Sequence, residues 1–260
     1  MLLPKFYVDS PTPSPRKFGL FSVAQPTNLN NGKWLGGVEY PSDNCAGDVS
    51  FAANPCNPAA MDYSDEPDFF EADTFYVYTL RGCRAPGAIN DAKDRAVKTF
   101  TGAEERGAEA GLWASLVADT NAVNLGATAL CPEAAVAVLE DWLGKNYGGT
   151  GVIHAPRDAA TFLATNARVR RHGNVLETEL GTRVSAGAGY GDSGPGAAAG
   201  ANEAWLYATG EVTVRRSPTE VRGPLMKMAP ADNTQVVLVE RAYVVDYDCA
   251  VAAVKVSLAC

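Results

Sequence analysis

A stripe of apolar residues at three- and four-residue spacing runs through positions 88 to about 117. Its members are Ile89, Ala92, Ala96, Phe100 and Ala103. An α-helix brings residues at this spacing to one face, so the pattern predicts a long amphipathic helix. Gly102, Gly107 and Gly111 lower helix propensity, and we expect a break or kink near them.

The middle of the chain predicts a helix, a strand and a second helix. Pro132 suits the first turn of a helix, and apolar residues at helical spacing continue from it to Leu143. The run from Thr150 to His154 is β-prone, and it passes through Pro156 into a short helix that ends near Asn166.

The last third of the chain is predicted to be mostly β-structure. The predicted strands cover residues 75–80 earlier in the chain and then 181–190, 204–209, 211–216, 235–245 and 250–258. In VVLVERAYVV both alternating sets of side chains are mostly apolar, which is typical of a strand covered on both faces. The segment from Arg222 to Asn233 is predicted to be a loop. An early helix and a late sheet indicate an α+β fold.

Residues 1 to about 70 have too little apolar periodicity to form a core of their own, and we interpret them as an extended arm. Three prolines between Pro11 and Lys17 exclude a helix there. Short strands are predicted at 18–24 and 34–40. Four aromatic residues of this arm must dock on an apolar surface, either on the same chain or on a neighbouring subunit: Phe18, Phe21, Trp34 and Phe51.

Composition narrows the possible partners. The formal net charge of −8 argues against a duplex-binding surface, which needs clustered Lys and Arg. No run approaches the roughly 20 apolar residues of a membrane span. Pro4, Lys5 and Asp9 near the start do not fit a secretory signal peptide.

The cysteines and histidines do not have the spacing of a metal site. The six cysteines are Cys45, Cys56, Cys83, Cys131, Cys249 and Cys260, and no CxxC or zinc-finger spacing occurs among them. Cys45 and Cys56 lie in one loop-like stretch and could pair outside the cytosol, whereas free thiols are the alternative. His154 and His172 lie far from any cysteine pair, so we expect no metal and no cofactor.

One stretch resembles a catalytic motif. Gly191 to Pro195 reads GDSGP, similar to the loop around the nucleophile of trypsin-like serine proteases, in which Ser193 would attack. The matching histidine context and a twin β-barrel pattern are missing, and the Gly/Ala-rich surroundings offer no rigid oxyanion hole. We therefore assign no catalytic, cofactor-binding or metal-binding residue, and a serine hydrolase stays a remote alternative.

Two charged clusters have simpler explanations than chemistry. Glu104, Glu105 and Glu109 lie on the predicted long helix, and adjacent glutamates there are expected to form a solvated face. Arg168, Arg170 and Arg171 lack stacking aromatics, so a solvated turn or an intersubunit ion pair is expected rather than nucleic-acid binding. His154 is expected to be a turn residue.

The succession of elements from about residue 70 onward resembles the major capsid proteins of tailed bacteriophages, which have the Hong Kong 97 fold shared with encapsulin shells. The resemblance is carried by the long helix, by the helix from Pro132, by the run from Gly151 to Asp158 and by Leu180-Gly-Thr-Arg-Val184. The final strands, with Glu240-Arg241, complete it. In some relatives a Glu assists a Lys–Asn cross-link, and Glu240 stands near the corresponding place without identifiable partners.

The resemblance implies an arm and extended loop over 1–87, a peripheral domain with a spine helix over 88–118 and 206–260, and an apical domain over 119–205. It also implies a structural capsid subunit, not an enzyme, that self-assembles as hexamers and pentamers into an icosahedral virion shell. The shell would enclose DNA without sequence-specific binding, would not engage a membrane, and could carry accessory or decoration proteins. Such a subunit is made in the host cytoplasm. An encapsulin-like compartment or a minor capsid or vertex protein is the alternative.

Overall fold

The long predicted helix is present in the structure. The computed structural model describes residues 11, 14–41, 44–45, 69–83, 89–126, 128–167, 169–225 and 235–260. Within these residues the α-helices are α1 (Leu20–Val23), α2 (Ile89–Ala118), α3 (Pro132–Asn146) and α4 (Arg157–Asn166). A 3-10 turn covers Lys33–Gly36.

A five-stranded sheet is built around one long central strand. Its members are β1 (Thr27–Asn28), β4 (Phe75–Cys83), β11 (Val212–Arg216), β12 (Glu220–Leu225) and β13 (Gln235–Tyr247). Strand β13 pairs antiparallel with β11 and β12 along one edge and with β4 along the other. The predicted loop from Arg222 was wrong at its start, because β12 continues to Leu225; residues 226–234 lie outside the described part.

A seven-stranded sheet carries the middle of the chain and its final strand. Its order is β5 (Val123–Asn124), β14 (Val251–Ser257), β10 (Glu203–Thr209), β6 (Val152–Pro156), β9 (Arg183–Gly187), β8 (Val175–Glu177) and β7 (Arg170–His172). Strands β6 and β9 are parallel, and the connection between them begins with α4, the helix predicted after Pro156, and continues through β7 and β8. A separate pair, β2 (Val38–Pro41) and β3 (Phe69–Ala72), forms a two-stranded antiparallel ribbon.

Helices cover both faces of the seven-stranded sheet. On one face α3 and α4 bury Leu139 and Leu163 against Ile153 and Leu206. On the other face α1 and the second half of α2 bury Leu112 and other apolar residues against strands of the sheet. The first half of α2 instead packs Ala92, Ala96 and Phe100 on Val237 and Val239 of the five-stranded sheet.

The break expected in the long helix was wrong, since α2 is helical from Ile89 to Ala118. Two of its glycines face β4. A Cβ added at Gly107 would lie 2.4 Å from Val77 Cγ1, and one at Gly111 would lie 2.3 Å from Phe75 Cε2. These glycines therefore let strand and helix approach closely, and packing outweighs their low helix propensity.

Three of the four arm aromatics dock on their own chain. Phe18 packs against the core under α3 and α4, Phe21 against the core under α2, and Trp34 on Ala242 and Val244. The neighbouring-subunit alternative is thus not needed for these three, and Phe51 lies outside the described residues. The predicted strand at 18–24 was wrong, because the run forms α1, and the run at 34–40 is half 3-10 turn and half β2.

The cysteine pairing also differs from the expectation. Cys45 is bonded to Cys249, and Cys131 is bonded to Cys260. The expected Cys45–Cys56 pair is therefore wrong, and these four cysteines are in the bonded form in this structure, while Cys56 lies outside the described residues. Each bond joins segments that are distant in sequence, so loop proximity was a misleading guide.

Candidate functional site: a carboxylate junction on the long helix

Three glutamates of α2 lie on its packed side. Glu104 and Glu109 are buried and Glu105 is half-buried, so the expected solvated face was wrong. Each of the three carboxylates accepts hydrogen bonds from donors that are distant in the sequence. We refer to Glu104, Glu105 and Glu109 as the carboxylate junction.

Glu104 fixes the long helix to the five-stranded sheet. Its Oε1 accepts a hydrogen bond from Arg216 Nη1 at 2.9 Å, and it also accepts from the guanidinium of Arg241 and the hydroxyl of Tyr243. A buried charge is tolerated only when paired and hydrogen-bonded, and two cations and one hydroxyl meet that condition here. Removing this carboxylate would leave two partly buried guanidinium groups facing each other.

Glu105 and Glu109 hold the arm. The backbone N–H of Phe21 donates to Glu105 Oε1 at 3.0 Å, and that of Leu20 donates to Glu109 Oε1 at 3.2 Å. Both N–H groups belong to the first turn of α1, where a helix leaves its donors without internal partners. The two carboxylates supply the missing acceptors and dock the arm on the long helix.

The second oxygen of Glu109 reaches the seven-stranded sheet. Glu109 Oε2 accepts from the backbone N–H of Ala188 at 2.7 Å and of Gly189 at 2.9 Å, in the loop that follows β9. One buried carboxylate therefore joins the arm, the long helix and the seven-stranded sheet through three backbone donors.

Two glycines make this approach possible. A Cβ at Gly19 would lie 2.5 Å from an oxygen of both Glu105 and Glu109. A Cβ at Gly189 would lie 2.1 Å from the carbonyl oxygen of Arg106. Backbone atoms come so close to α2 at both places that any side chain would push the segments away from the carboxylates.

Burial dominates the electrostatics of the junction. It raises the pKa of the Glu109 carboxyl above the ordinary value, an effect that the three N–H donors oppose and the nearby charge of Glu105 reinforces. Burial likewise raises the pKa of Glu105, against the Phe21 N–H and the cations of Arg16 and Arg157. The arrangement is suited to holding elements together. Glu104 Oε1, Glu105 Oε1 and both carboxylate oxygens of Glu109 each accept a hydrogen bond from another part of the same chain.

Comparison with known proteins finds likeness in structure only. The sequence matches no protein-family model and no curated protein. The capsid of the native GTA particle matches with a TM-score of 0.58 at 13% identity, covering 98% of this chain and 95% of that one. A Gordonia phage Cozz structure matches with a TM-score of 0.58 at 13% identity, covering 98% and 92%. The SrpI encapsulin complex of Synechococcus elongatus PCC 7942 matches with a TM-score of 0.55 at 13% identity, covering 98% and 94%.

The chain has the Hong Kong 97-type capsid fold. The resemblance inferred from the order of elements is thereby confirmed at the level of the fold. The mixed α and β content expected from the sequence is confirmed with it.

Within this capsid fold His154 occupies the centre of a buried polar network. It lies in β6 rather than in the expected turn, and it is fully buried. Its Nδ1 and Nε2 lie 3.0 Å from Tyr190 Oη and Thr209 Oγ1 respectively. The Thr209 hydroxyl donates to the carbonyl of Gly210, so we assign the imidazole proton to Nε2 and let Tyr190 donate to Nδ1. Ser185, 2.7 Å away, then donates to Tyr190.

Burial keeps the imidazole neutral. It lowers the pKa of His154 to about 3, because a charged ring would lose its hydration in the interior. The sequence contained a signal for burial. His154 directly follows Val152 and Ile153 in an apolar, β-prone run, which predicts a buried strand position rather than a turn.

In the structure His154 cannot act as the general base that a serine hydrolase using Ser193 would need. Ser193 is exposed in the loop after Gly191, and its carbonyl accepts from Trp113 Nε1 at 3.1 Å. His154 has both ring nitrogens engaged by Tyr190 and Thr209 in the interior, so it cannot activate the Ser193 hydroxyl.

The other singled-out residues have local partners. Glu240 forms an ion pair with Arg222 at 3.1 Å. Arg170 pairs with Glu179 at 2.7 Å, and the guanidinium of Arg171 lies 5.3 Å from the ring centre of Phe18; Arg168 lies outside the described residues.

Neither a metal cluster nor a membrane helix is found in the described part of the chain. No set of three or more His, Cys, Asp or Glu side chains there is arranged to hold a metal ion. None of its helices combines the length and the apolar character needed to cross a membrane.

Proposed function

We propose that this chain is the capsid subunit of a tailed bacteriophage, self-assembling into an icosahedral head shell around genomic DNA. The observation that carries the proposal is the extent of the structural match, which covers 98% of this chain and 95% of the GTA capsid chain. The function therefore rests on the whole fold rather than on a local site. No catalytic residue is assigned, and other copies in hexamers and pentamers are the main partners.

The proposed domains follow the order of elements. We propose residues 1–87 as arm and extended loop, 88–118 and 206–260 as peripheral domain with spine helix, and 119–205 as apical domain. Strands β10 and β14 pair in the seven-stranded sheet, which argues for moving both 206–209 and 251–257 to the apical domain. The carboxylate junction would then join arm, spine helix, peripheral sheet and apical sheet at one place.

A second candidate is an encapsulin-like compartment, favoured by the nearly equal match to the SrpI encapsulin. A minor capsid or vertex protein of the same fold is a further variant. Both candidates self-assemble into shells, and they differ in what the shell encloses, DNA or protein. The net charge of −8 suits either a shell that touches DNA weakly or one that encloses protein.

Electron microscopy of purified protein tests assembly. We expect uniform closed shells or capsomer rings in negative stain, and a monomer that persists at high concentration would contradict both candidates. Shells from infected or expressing cells would then be treated with nuclease. Protected DNA of phage-genome length supports the capsid, whereas a stoichiometric protein cargo without DNA supports the compartment.

A further inference from the structure

A disulfide ties Cys45, which follows β2 within the proposed arm and extended loop of residues 1–87, to Cys249 in the body of the subunit. We refer to residues 44–45 as the base of the extended loop. Cys45 lies four residues beyond Pro41, the last residue of β2, on the branch that leads into 46–68. Its partner Cys249 lies in the turn between β13 and β14 and is 204 positions away in sequence. The two Cα atoms are 5.6 Å apart, which is ordinary for a bonded pair.

Contacts independent of sulfur bring the two cysteines together. The Asn44 side chain donates to the carboxylate of Asp248, and Gly148 N–H donates to the carbonyl of Asn44 at 2.8 Å. Cys45 also forms an isolated antiparallel bridge with Tyr147 at the end of α3. The cysteines therefore have neighbours that can hold them in place as thiols as well as in the bonded form.

The second disulfide provides an internal reference. Cys131 and Cys260 also have Cα atoms 5.6 Å apart, but both residues are exposed, whereas Cys45 and Cys249 are half-buried. An exposed bond is open to small thiols, and a half-buried one is attacked more slowly. The two bonds are thus distinguishable by the order in which they are reduced.

We propose that Cys45 and Cys249 form a redox-controlled latch on the base of the extended loop, open as a dithiol in a reducing cytosol and closed when the shell reaches an oxidising medium. The inference rests on the proposed function, because a subunit made in the cytosol passes between these two conditions. The open latch leaves the loop base held by noncovalent contacts, and the closed latch adds a covalent attachment across 204 positions.

The oxidant is a small-molecule disulfide of the oxidised glutathione class. One protein thiolate attacks a sulfur of the small disulfide, forms a mixed disulfide and releases one small thiolate. The second protein thiolate then attacks the protein sulfur of that mixed disulfide, forms the Cys45–Cys249 bond and releases the other small thiolate. The protein loses two electrons and two thiol protons, and the small disulfide becomes two thiols.

The test compares C45S/C249S with the matched pair C131S/C260S. Free thiols in the expressing cells are blocked with an alkylating agent, and peptide mapping identifies which cysteines were free. The same mapping is done on purified protein before and after treatment with oxidised glutathione. Shell dissociation in urea is followed by light scattering in both states. We expect wild type and C131S/C260S to gain the Cys45–Cys249 bond on oxidation and to dissociate at least about tenfold more slowly. C45S/C249S should show no slowing.

Several outcomes would overturn the latch. One is a Cys45–Cys249 bond that is already complete in protein quenched in the cytosol. Another is a Cys45–Cys56 bond in place of Cys45–Cys249. The third is that oxidation slows shell dissociation equally in C45S/C249S. Reduced wild type serves as the folding control for the serine variants by circular dichroism. If no variant forms shells, the proposed function fails by itself. The latch is then decided on the subunit, by the same peptide map and by its unfolding rate in urea.

Discussion

The two large sheets of this subunit differ in how they are covered. Strands β6, β10 and β14 of the seven-stranded sheet are buried almost throughout, because α3 and α4 lie on one face and α2 on the other. The five-stranded sheet has α2 on one face, and on the other face Trp34 of the arm covers Ala242 and Val244. On that other face β4 presents Tyr76, Tyr78 and Leu80, which are 57%, 62% and 45% exposed.

The difference in coverage predicts which sheet mainly determines the stability of the subunit and which sheet contributes to assembly. A sheet covered on both faces has its apolar surface satisfied within the subunit, and its residues are needed for folding. An apolar sheet face left open marks a surface for association. In the proposed shell we therefore expect substitutions in the first sheet to change unfolding and substitutions on the second face to change assembly.

The largest effect is expected from Leu206→Ala in β10, matched with Leu80→Ala in β4. Leu206 is fully buried, so the truncation should lower the free energy of unfolding by about 3 kcal/mol through lost burial and a cavity. Leu80→Ala should change it by less than about 0.5 kcal/mol. Urea unfolding of the subunits measures both, and equal losses would abolish the distinction between the sheets.

Glu109→Ala should lower the free energy of unfolding by about 2 kcal/mol, since one buried and two partly buried N–H groups lose their acceptor. Lys98→Ala, an exposed change on the same helix, is the control and should be near neutral. Hydrogen exchange should also speed up at Leu20, Ala188 and Gly189. Unchanged exchange at these amides would show that the carboxylate does not hold them.

Acid should destabilise the covered sheet through His154. Its folded pKa of about 3 lies below the unfolded value of 6.5, so the unfolded state binds the proton first and stability falls as the pH drops from 6.5 toward 3. The loss attributable to His154 should be about 2 kcal/mol at pH 5. Denaturation at several pH values should show this slope in wild type and in His172→Gln but not in His154→Gln. A parallel slope in His154→Gln would contradict the assignment.

The smallest effect on stability is expected from Tyr78→Ser on the open face, within about 0.5 kcal/mol of wild type. The same substitution should reduce the yield of shells, because it removes apolar area from the face left for association. Glu133→Ser, an exposed change on α3, is the control. Normal shell yield from Tyr78→Ser would show that this face is not a contact in the shell.

The fold was largely predictable because its elements have strong local periodicity. The stripe from Ala92 predicted α2, and the apolar run before Pro156 predicted a strand followed by a helix. The short helix α1 was missed because LFSV has β-prone residues and is held in helical form by Glu105 and Glu109. Those two glutamates lie more than 80 positions away, so no local signal reports them.

The junction itself left one readable signal. Steps of four residues from Ala92 pass through Ala96 and Phe100 and reach Glu104, then Ala108 and the later core residues Leu112 and Leu116. A charged residue within a buried row predicts a buried carboxylate, although not its partners. Each four-residue step turns the row by about 40°, and this rotation lets one helix face two sheets in succession.

The disulfides were beyond prediction from spacing, because both partners are placed by tertiary structure. Cys249 follows β13, whose position depends on pairing with β4. A sequence scan sees only that Cys45 and Cys56 are close in number. The register of the sheets had to be known before the cysteines could be paired.

Because β4 pairs with β13, the early strand must remain unpaired during synthesis until β13 has been made. Tyr243, the hydrogen-bond partner of Glu104, is synthesised 139 positions later, which takes roughly 7–28 s at about 5–20 residues per second. During that interval the nascent chain carries the aromatic strand β4 without its neighbour and α2 without the sheet it covers. The ribosome-bound subunit is therefore a natural client for chaperones, and slower translation lengthens the period in which neighbouring chains can pair wrongly.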